Sequence, residues 1–193
     1  MLNQKLRFSK MAVIDSLIKI AIGLALLCFL SPIEIKEGIN VPITLQSMLI
    51  ILVPLLFGFI NGGMAVLFYL LLGGLGAPVF ANGASGWDVF TGVSGGFLFG
   101  FVFAAFVVGF FAEKKWRMTS LAAAALMIGG QLIILIFGLY WMERVLDEPL
   151  DWMIQLKKFI PGLMIKAAFG MIIYILVERL VHSAMKTKAL GNP

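Results

Sequence analysis

Lys166 is a basic residue inside an apolar stretch, and its position needs a chemical explanation. It lies eight residues after Lys158, so at 1.5 Å per residue it sits roughly 12 Å below the end of a helix that begins there. A charge at that depth in hydrocarbon is costly and usually faces the interior of a helix bundle. The ammonium group suits a carboxylate ligand as a point charge with three donors. A structural lysine bonded to backbone carbonyls would explain the same position.

Other polar side chains also lie inside apolar stretches. Gln46, in the segment VPITLQ (41–46), can offer amide donors and an acceptor to a polar ligand. Asp15 and Lys19 are four residues apart, which places them on one face of a helix and predicts an ion pair. We therefore expect Gln46 and Lys166 to contact a ligand, and Asp15 and Lys19 to neutralise each other.

Two motifs of nucleotide and zinc-hydrolase chemistry are absent from the sequence. It contains no G-x-x-x-x-G-K-[ST] phosphate loop and no H-E-x-x-H motif. Cys28 is the single cysteine, and the single histidine, His182, follows the last apolar stretch, so an intrachain disulfide, a metal cluster and a bound cofactor are not expected. We predict that the chain is not an enzyme.

The composition predicts the fold class that must position these residues. Hydrophobic residues make up 61% of the 193 residues, charged residues make up 13%, and the mean hydropathy is +1.03, which excludes a soluble domain. A membrane-spanning helix needs about 20 apolar residues. We expect an all-α integral membrane protein in which residues 1–193 form a single compact bundle of six transmembrane helices. The predicted spans are residues 11–30, 41–60, 63–78, 94–112, 120–142 and 158–179.

The distribution of basic residues predicts the orientation of the bundle. Cytoplasmic loops are enriched in Lys and Arg, and an even number of spans puts both termini on the same side. We therefore expect the N and C termini to be cytoplasmic in a multi-pass protein of the bacterial cytoplasmic membrane. The residues on the predicted cytoplasmic side are Lys5, Arg7, Lys10, Lys114, Lys115, Arg117, Arg179, Lys186 and Lys188.

A glycine-rich break in the segment YLLLGGLGAPVF (69–80) marks the outer end of the third predicted span. Pro78 disfavours the helical conformation in the residue before it, and the glycines and Asn82 that surround it favour turns. Irregular backbone at membrane depth is tolerated where it lines a cavity, so a Gly-rich outer loop over a ligand cavity is one interpretation. Close helix packing by small residues is the other.

Together these segments resemble the BioY family, the substrate-binding S components of energy-coupling factor (ECF) biotin transporters. The resemblance covers most of the chain. It is strongest in VPITLQ (41–46), YLLLGGLGAPVFANGASG (69–86) and TGVSGGFLFGF (91–101), and weaker in FIPGLMIK (159–166).

The resemblance implies that the chain binds biotin from the outer side and delivers it with a transmembrane T subunit and two ATPase subunits. A self-sufficient facilitator and an S component for another small carboxylate vitamin or cofactor precursor are the alternatives. The family's first helix commonly carries small residues that face the T subunit, for which the candidates here are Ala12 with Ser16 and Ala21 with Ala25. The substrate-binding residues that the resemblance implies are Gln46, Asn82, Ser94, Gly95 and Lys166.

The sequence departs from the family pattern beside Lys166. Leu163 occupies the position where the pattern has Asp, three residues before the lysine. No other acid is expected at that depth, so we expect Lys166 to contact a loop acid such as Asp151, a backbone carbonyl or the carboxylate of the ligand. In the glycine turn, Val93, Ser94 and Phe97 replace the family's usual Pro, Thr and Tyr.

Overall fold

The structure is a computed structural model that describes Leu2 and residues 6–35, 43–114 and 119–190. The regular secondary structure of this part of the chain is helical, apart from two short antiparallel strands in which Glu34 lies opposite Thr44. The elements in chain order are α1 (Ala12–Leu30), β1 (Glu34–Ile35), β2 (Ile43–Thr44), α2 (Gln46–Gly74), a 3-10 turn (Ala81–Gly83), α3 (Asp88–Thr91), α4 (Gly95–Glu113), α5 (Ser120–Leu146) and α6 (Trp152–Leu190).

Within the described ranges, five helices are long and apolar enough to cross a membrane: α1, α2, α4, α5 and residues Trp152–Lys186 of α6. This confirms the prediction of a helical protein with several membrane-spanning segments.

The helix α2 reverses direction at Gly58. The backbone there has φ 86° and ψ −172°, a combination that is essentially restricted to glycine. The Nε2 atom of Gln46 lies 2.7 Å from the hydroxyl oxygen of Tyr69, whereas 23 residues of straight helix would separate these positions by roughly 34 Å. A Cβ added at Gly62 would also collide with the backbone of Pro54. The two arms of α2 are therefore antiparallel, and they correspond to the predicted spans 41–60 and 63–78.

One stripe of α1 packs against α2. Asp15, Lys19, Gly23 and Leu27 are the buried residues of α1 and recur every four positions. A Cβ at Gly23 would lie 2.8 Å from Cγ1 of Val53, so the missing side chain lets the helices approach closely. The carboxylate of Asp15 lies 2.7 Å from Nζ of Lys19, which confirms the predicted ion pair.

The helix α6 begins earlier and ends later than the predicted span 158–179. The Oδ1 atom of Asp151 accepts a hydrogen bond from the N–H of Ile154 at 3.1 Å, which is how an N-cap residue satisfies a free backbone donor. Lys166 is consequently fourteen residues beyond Trp152, roughly 21 Å from the start of the helix. The expected depth of 12 Å was wrong because the capping role of Asp151 was not recognised.

Candidate ligand-binding site

A cavity of about 400 Å³ lies at the end of the bundle where α2 and α6 begin and α5 ends. Its volume falls within the range of about 300–1,000 Å³ that is common for small-ligand pockets. Much of the wall is apolar and includes Phe80, Leu98, Phe101, Ile134, Leu135 and Leu163. The polar lining residues are Thr44, Gln46, Ser47, Ser94, Gln131, Lys158 and Lys166.

The charged residues that line the cavity are both basic. Lys158 and Lys166 come from one face of α6, eight residues apart, and no Asp or Glu is part of the lining that the structure describes. Lys158 is exposed, whereas Lys166 is only partly accessible. The cavity therefore attracts an anion, with one cation near its exposed side and a second one deeper.

Lys166 donates a hydrogen bond to a hydroxyl group. Its Nζ atom lies 3.0 Å from Oγ of Ser47, in the first turn of α2. This contact is possible because side chains on a helix lean toward its N-terminus, which brings the ammonium group back toward the level of Ser47. Within residues 43–114 and 119–190, Lys166 forms no ion pair with a carboxylate. Among the described residues its partner is thus Ser47. The sequence had instead predicted a loop acid such as Asp151, a backbone carbonyl or the carboxylate of the ligand.

Gln46 is held by the second arm of α2. Its Nε2 atom lies 2.7 Å from the hydroxyl oxygen of Tyr69, and that hydroxyl donates to the carbonyl oxygen of Val79 at 2.9 Å. A phenol has one proton to donate, so Tyr69 must accept from Gln46, and this assigns the amide orientation. The Oε1 atom of Gln46 remains as the acceptor that this lining residue can offer to a ligand.

Residues 75–94 connect α2 to α4 and cover one side of the cavity. Phe80, Ala81, Ala84, Val89 and Ser94 from this segment belong to the lining. The ring of Phe80 packs edge-on against both Tyr69 and Phe90, with centroids 5.6 and 5.8 Å apart. The indole Nε1 of Trp141 donates to the carbonyl oxygen of Gly92 at 3.0 Å. The loop is therefore attached to α2 and α5 through side chains.

Three of the residues singled out in the sequence, Gln46, Ser94 and Lys166, line this cavity. Asn82 and Gly95 are not part of the lining. Asn82 is exposed and has φ 57°, a left-handed conformation that Asn adopts more readily than most residues. Gly95 is buried where a Cβ would collide with the carbonyl group of Phe90. Both positions shape the loop, and their contact with a ligand stays a prediction.

Ser47, Gln131 and Lys158 are lining residues that sequence reasoning missed. Lys158 could have been found because it lies eight residues before Lys166, on the same helical face. Ser47 and Gln131 carry no comparable signal, since single uncharged polar residues are common in membrane helices. In the described ranges, no three His, Cys, Asp or Glu residues are grouped so as to hold a metal ion.

Comparisons with known proteins agree with this architecture. A family model described as the BioY family matches residues 3–183. The biotin transporter BioY2 of Lactococcus lactis subsp. cremoris is 32% identical over 173 residues, which cover 89% of this chain and 93% of the relative. The biotin transporter BioY of Rhodobacter capsulatus is 36% identical over 144 residues, which cover 68% of this chain and 76% of the relative.

A solved structure also matches this chain. The crystal structure of the S-component for biotin from an ECF-type ABC transporter matches with a TM-score of 0.77 and 29% identity, over 90% of this chain and 94% of that chain. These relatives are named as transporter components, in agreement with the prediction that the chain is not an enzyme. With the family model spanning nearly the whole sequence, the chain belongs to the BioY family.

Proposed function

We propose that this protein is the biotin-binding S component of an ECF transporter, and that residues 1–193 form a single membrane domain with six crossings. The two arms of α2 would provide two of these crossings. The observation that carries the proposal is the cavity of about 400 Å³ lined by Lys158 and Lys166, with no Asp or Glu among the described lining residues. Biotin, with an aliphatic acid tail and a polar ring, has the charge and the apolar surface that such a cavity requires.

The lining supports a division of roles in recognition. Lys166 would bind the carboxylate together with the hydroxyl of Ser47, and Lys158 would add attraction near the exposed side. The apolar wall would bury the aliphatic tail and the thioether ring. Gln46 would accept a hydrogen bond from a ring N–H through Oε1. Residues 75–94, including Asn82 and Ser94, would form the outer loop over the ligand, with Gly95 allowing close packing beneath it.

The proposed orientation places the cavity on the outer side of the bacterial cytoplasmic membrane. The end of the bundle opposite the start of α6 carries several basic residues. They are Lys114, which follows α4, and Arg179 and Lys186, which lie late in α6. Arg7 and Lys10 precede α1 and belong to that end as well. A basic end of this kind is typical of a cytoplasmic face, with both termini on that side.

The proposed partners are a transmembrane T subunit and two ATPase subunits. Ala21 and Ala25 of α1 are exposed and are each two positions from the buried Gly23, roughly 200° around the helix. Ala12 is also exposed and Ser16 is half-buried. Ala21 and Ala25 leave a flat surface on α1, on which a second membrane helix could pack closely. Ala12 and Ser16 lie roughly 180° around the helix from that pair.

Ligand binding by the purified protein tests the first half of the proposal. A ligand that binds only the folded state raises the free energy of unfolding by RT ln(1 + [L]/Kd). Saturating biotin should therefore raise the Tm in detergent, and biotin methyl ester should raise it less. Lack of a shift with biotin would refute the proposed ligand.

Co-expression with T and ATPase subunits tests the second half. Replacing Ala21 and Ala25 together by Phe should reduce the amount of T subunit that co-purifies while the Kd for biotin stays unchanged. Ile136→Phe, at an exposed position of α5, is the matched control. Accumulation of biotin to the full level by this chain alone, without ATPase subunits, would instead identify a facilitator.

A further inference from the structure

The rings of Phe97 and Phe159 contact each other at the end of the bundle where α4 and α6 begin. Their centroids are 6.0 Å apart and their planes are inclined by 37°. Both side chains are partly accessible, and both line the cavity. The helices α4 and α6 each pack against α5 and α2, and the ring pair joins α4 to α6 beside the cavity.

The ring of Phe97 is held in place by α5. A Cβ added at Gly138 would collide with this ring, so Phe97 fills the space that the missing side chain leaves. Phe97 also packs against the small cluster of buried residues formed by Leu135, Leu139 and Leu163. If the two rings separate, the movement therefore falls to Phe159.

The backbone around Phe159 is less restrained than a regular helix. Pro161 lies inside α6, and because proline has no N–H, the carbonyl group of Lys157 lacks the hydrogen bond that a helix normally provides. Gly162 follows and also lines the cavity, and glycine adds backbone freedom. Phe159 lies between positions 157 and 162, so α6 can adjust locally at this residue.

We propose that Phe97 and Phe159 form an aromatic gate that controls the passage of a ligand to the deeper part of the cavity, where Lys166 lies. The ring contact in the structure is the closed state, and opening moves Phe159 away from Phe97. The gate closes in the same way with and without ligand, so it sets the rates of entry and exit and has little influence on the Kd. The inference rests on the proposed function only in its use of biotin as the probe.

The first test measures the association and dissociation rates of labelled biotin with purified Phe159→Leu. This variant keeps an apolar side chain and loses the ring pair. Both rate constants should rise roughly two- to tenfold while the Kd changes by less than about twofold. A residue that only contacts the ligand would raise the dissociation rate and the Kd and leave the association rate unchanged. Phe103→Leu is the matched control, because Phe103 stacks on Phe137 with centroids 4.7 Å apart outside the lining.

The second test combines variants. Phe97→Leu should have the same effect as Phe159→Leu, and the double variant should be no faster than the faster single one, because each change removes the same contact. Pro161→Ala restores a backbone donor inside α6, so it should lower both rate constants. Ile160→Ala, at a neighbouring position that is 44% exposed, should have wild-type rates. Independent effects of the two Leu variants would contradict the gate.

The third test needs no biotin. Leu135 lines the cavity and is 5% exposed, so Leu135→Cys in a Cys28→Ala background reports access for the anionic reagent sulfonatoethyl methanethiosulfonate. Adding Phe159→Leu should raise the rate of modification roughly two- to tenfold. The control is Lys157→Cys, at an exposed position outside the lining, which should react equally fast with and without that change.

Three results would overturn the inference while leaving the proposed function intact. They are equal modification rates with and without Phe159→Leu, a raised Kd with an unchanged association rate, and failure of both Phe97→Leu and Phe159→Leu to fold, which would make the ring pair structural. Absence of biotin binding by the wild type would refute the proposed function itself, and the modification rates would still decide whether the gate exists.

Discussion

The Nζ atom of Lys166 lies 3.0 Å from the hydroxyl oxygen of Ser47, which joins the middle of α6 to the first turn of α2. A hydroxyl satisfies one of the three donors of the ammonium group and does not neutralise its charge. Lys158 adds a second positive charge to the same wall. An anion bound in the cavity would compensate the positive charge that Ser47 does not neutralise.

Removing the charge of Lys166 should weaken binding of the acid. Lys166→Met keeps most of the volume of the side chain and loses the ammonium group. Hydrogen bonds to charged groups contribute about 1.5–3 kcal/mol, so the Kd for biotin should rise roughly ten- to a hundredfold. Isothermal titration in detergent measures this. Lys157→Met, at an exposed position outside the lining, should bind normally, and equal Kd values for the two variants would show that Lys166 is structural.

Introducing an acid beside Lys166 should reduce the preference of the site for biotin over biotin methyl ester. Leu163 is 6% exposed and packs with Leu135 and Leu139, and it lies three residues before Lys166. In Leu163→Asp the new carboxylate would pair with the ammonium group, so the ratio of affinities for biotin and its methyl ester should fall. Leu163→Asn has the same shape without the charge and should retain the ratio. An equal ratio in both variants would contradict the pairing.

Breaking the contact between the two arms of α2 should destabilise the protein. Tyr69→Phe removes the hydroxyl that accepts from Gln46 and donates to Val79, leaving a buried amide and a buried carbonyl without partners. The expected loss is about 1–3 kcal/mol in the free energy of unfolding, with weaker biotin binding because Gln46 is no longer oriented. Thermal unfolding in detergent checks the first effect and titration the second. Tyr140→Phe, at a position 54% exposed, should leave both quantities unchanged.

The reversal of α2 should depend on glycine at position 58. Gly58→Ala would place a Cβ on a backbone with φ 86° and ψ −172°, and such strain costs about 1–3 kcal/mol. Gly129→Ala is a matched control because a Cβ there meets nothing within 4 Å, and Ala is favoured over Gly inside a helix by roughly 0.5–1 kcal/mol. The Tm should fall for the first variant and stay or rise for the second. The same Tm for both would show that the reversal tolerates a side chain.

Several features of the fold were predictable because they depend on local sequence. The apolar stretches predicted α1, α4 and most of α5 nearly to their observed bounds, since a long apolar run can satisfy its backbone in a membrane only as a helix. The spacing of Asp15 and Lys19 predicted their ion pair, because residues four apart on a helix are neighbours. The early start of α6 was missed because Asp151 had been considered as a loop acid that could pair with Lys166, whereas its side chain caps the helix.

The candidate site was predictable only in part. Lys166 and Gln46 attract attention in sequence because polar groups in hydrocarbon are costly, and both line the cavity. Their partners, Ser47 and Tyr69, are 119 and 23 residues away in the chain, and no local pattern connects them. The orientation of the Gln46 side-chain amide follows from its contact with Tyr69 and from the contact of Tyr69 with Val79. It can be assigned only when the positions of all three segments are known.

The sequence by itself determined that this chain is a helical membrane protein and that it resembles the BioY family, because hydropathy and short motifs are properties of contiguous residues. The tertiary structure decided which polar side chains share a cavity, because that depends on the reversal at Gly58 and on the packing of α5 and α6 around α2. It alone brought Gln131 and Lys158 to the wall that Gln46 and Lys166 also line. The physical reason is that contacts between distant segments depend on how the helices pack against one another, which no short stretch of sequence encodes.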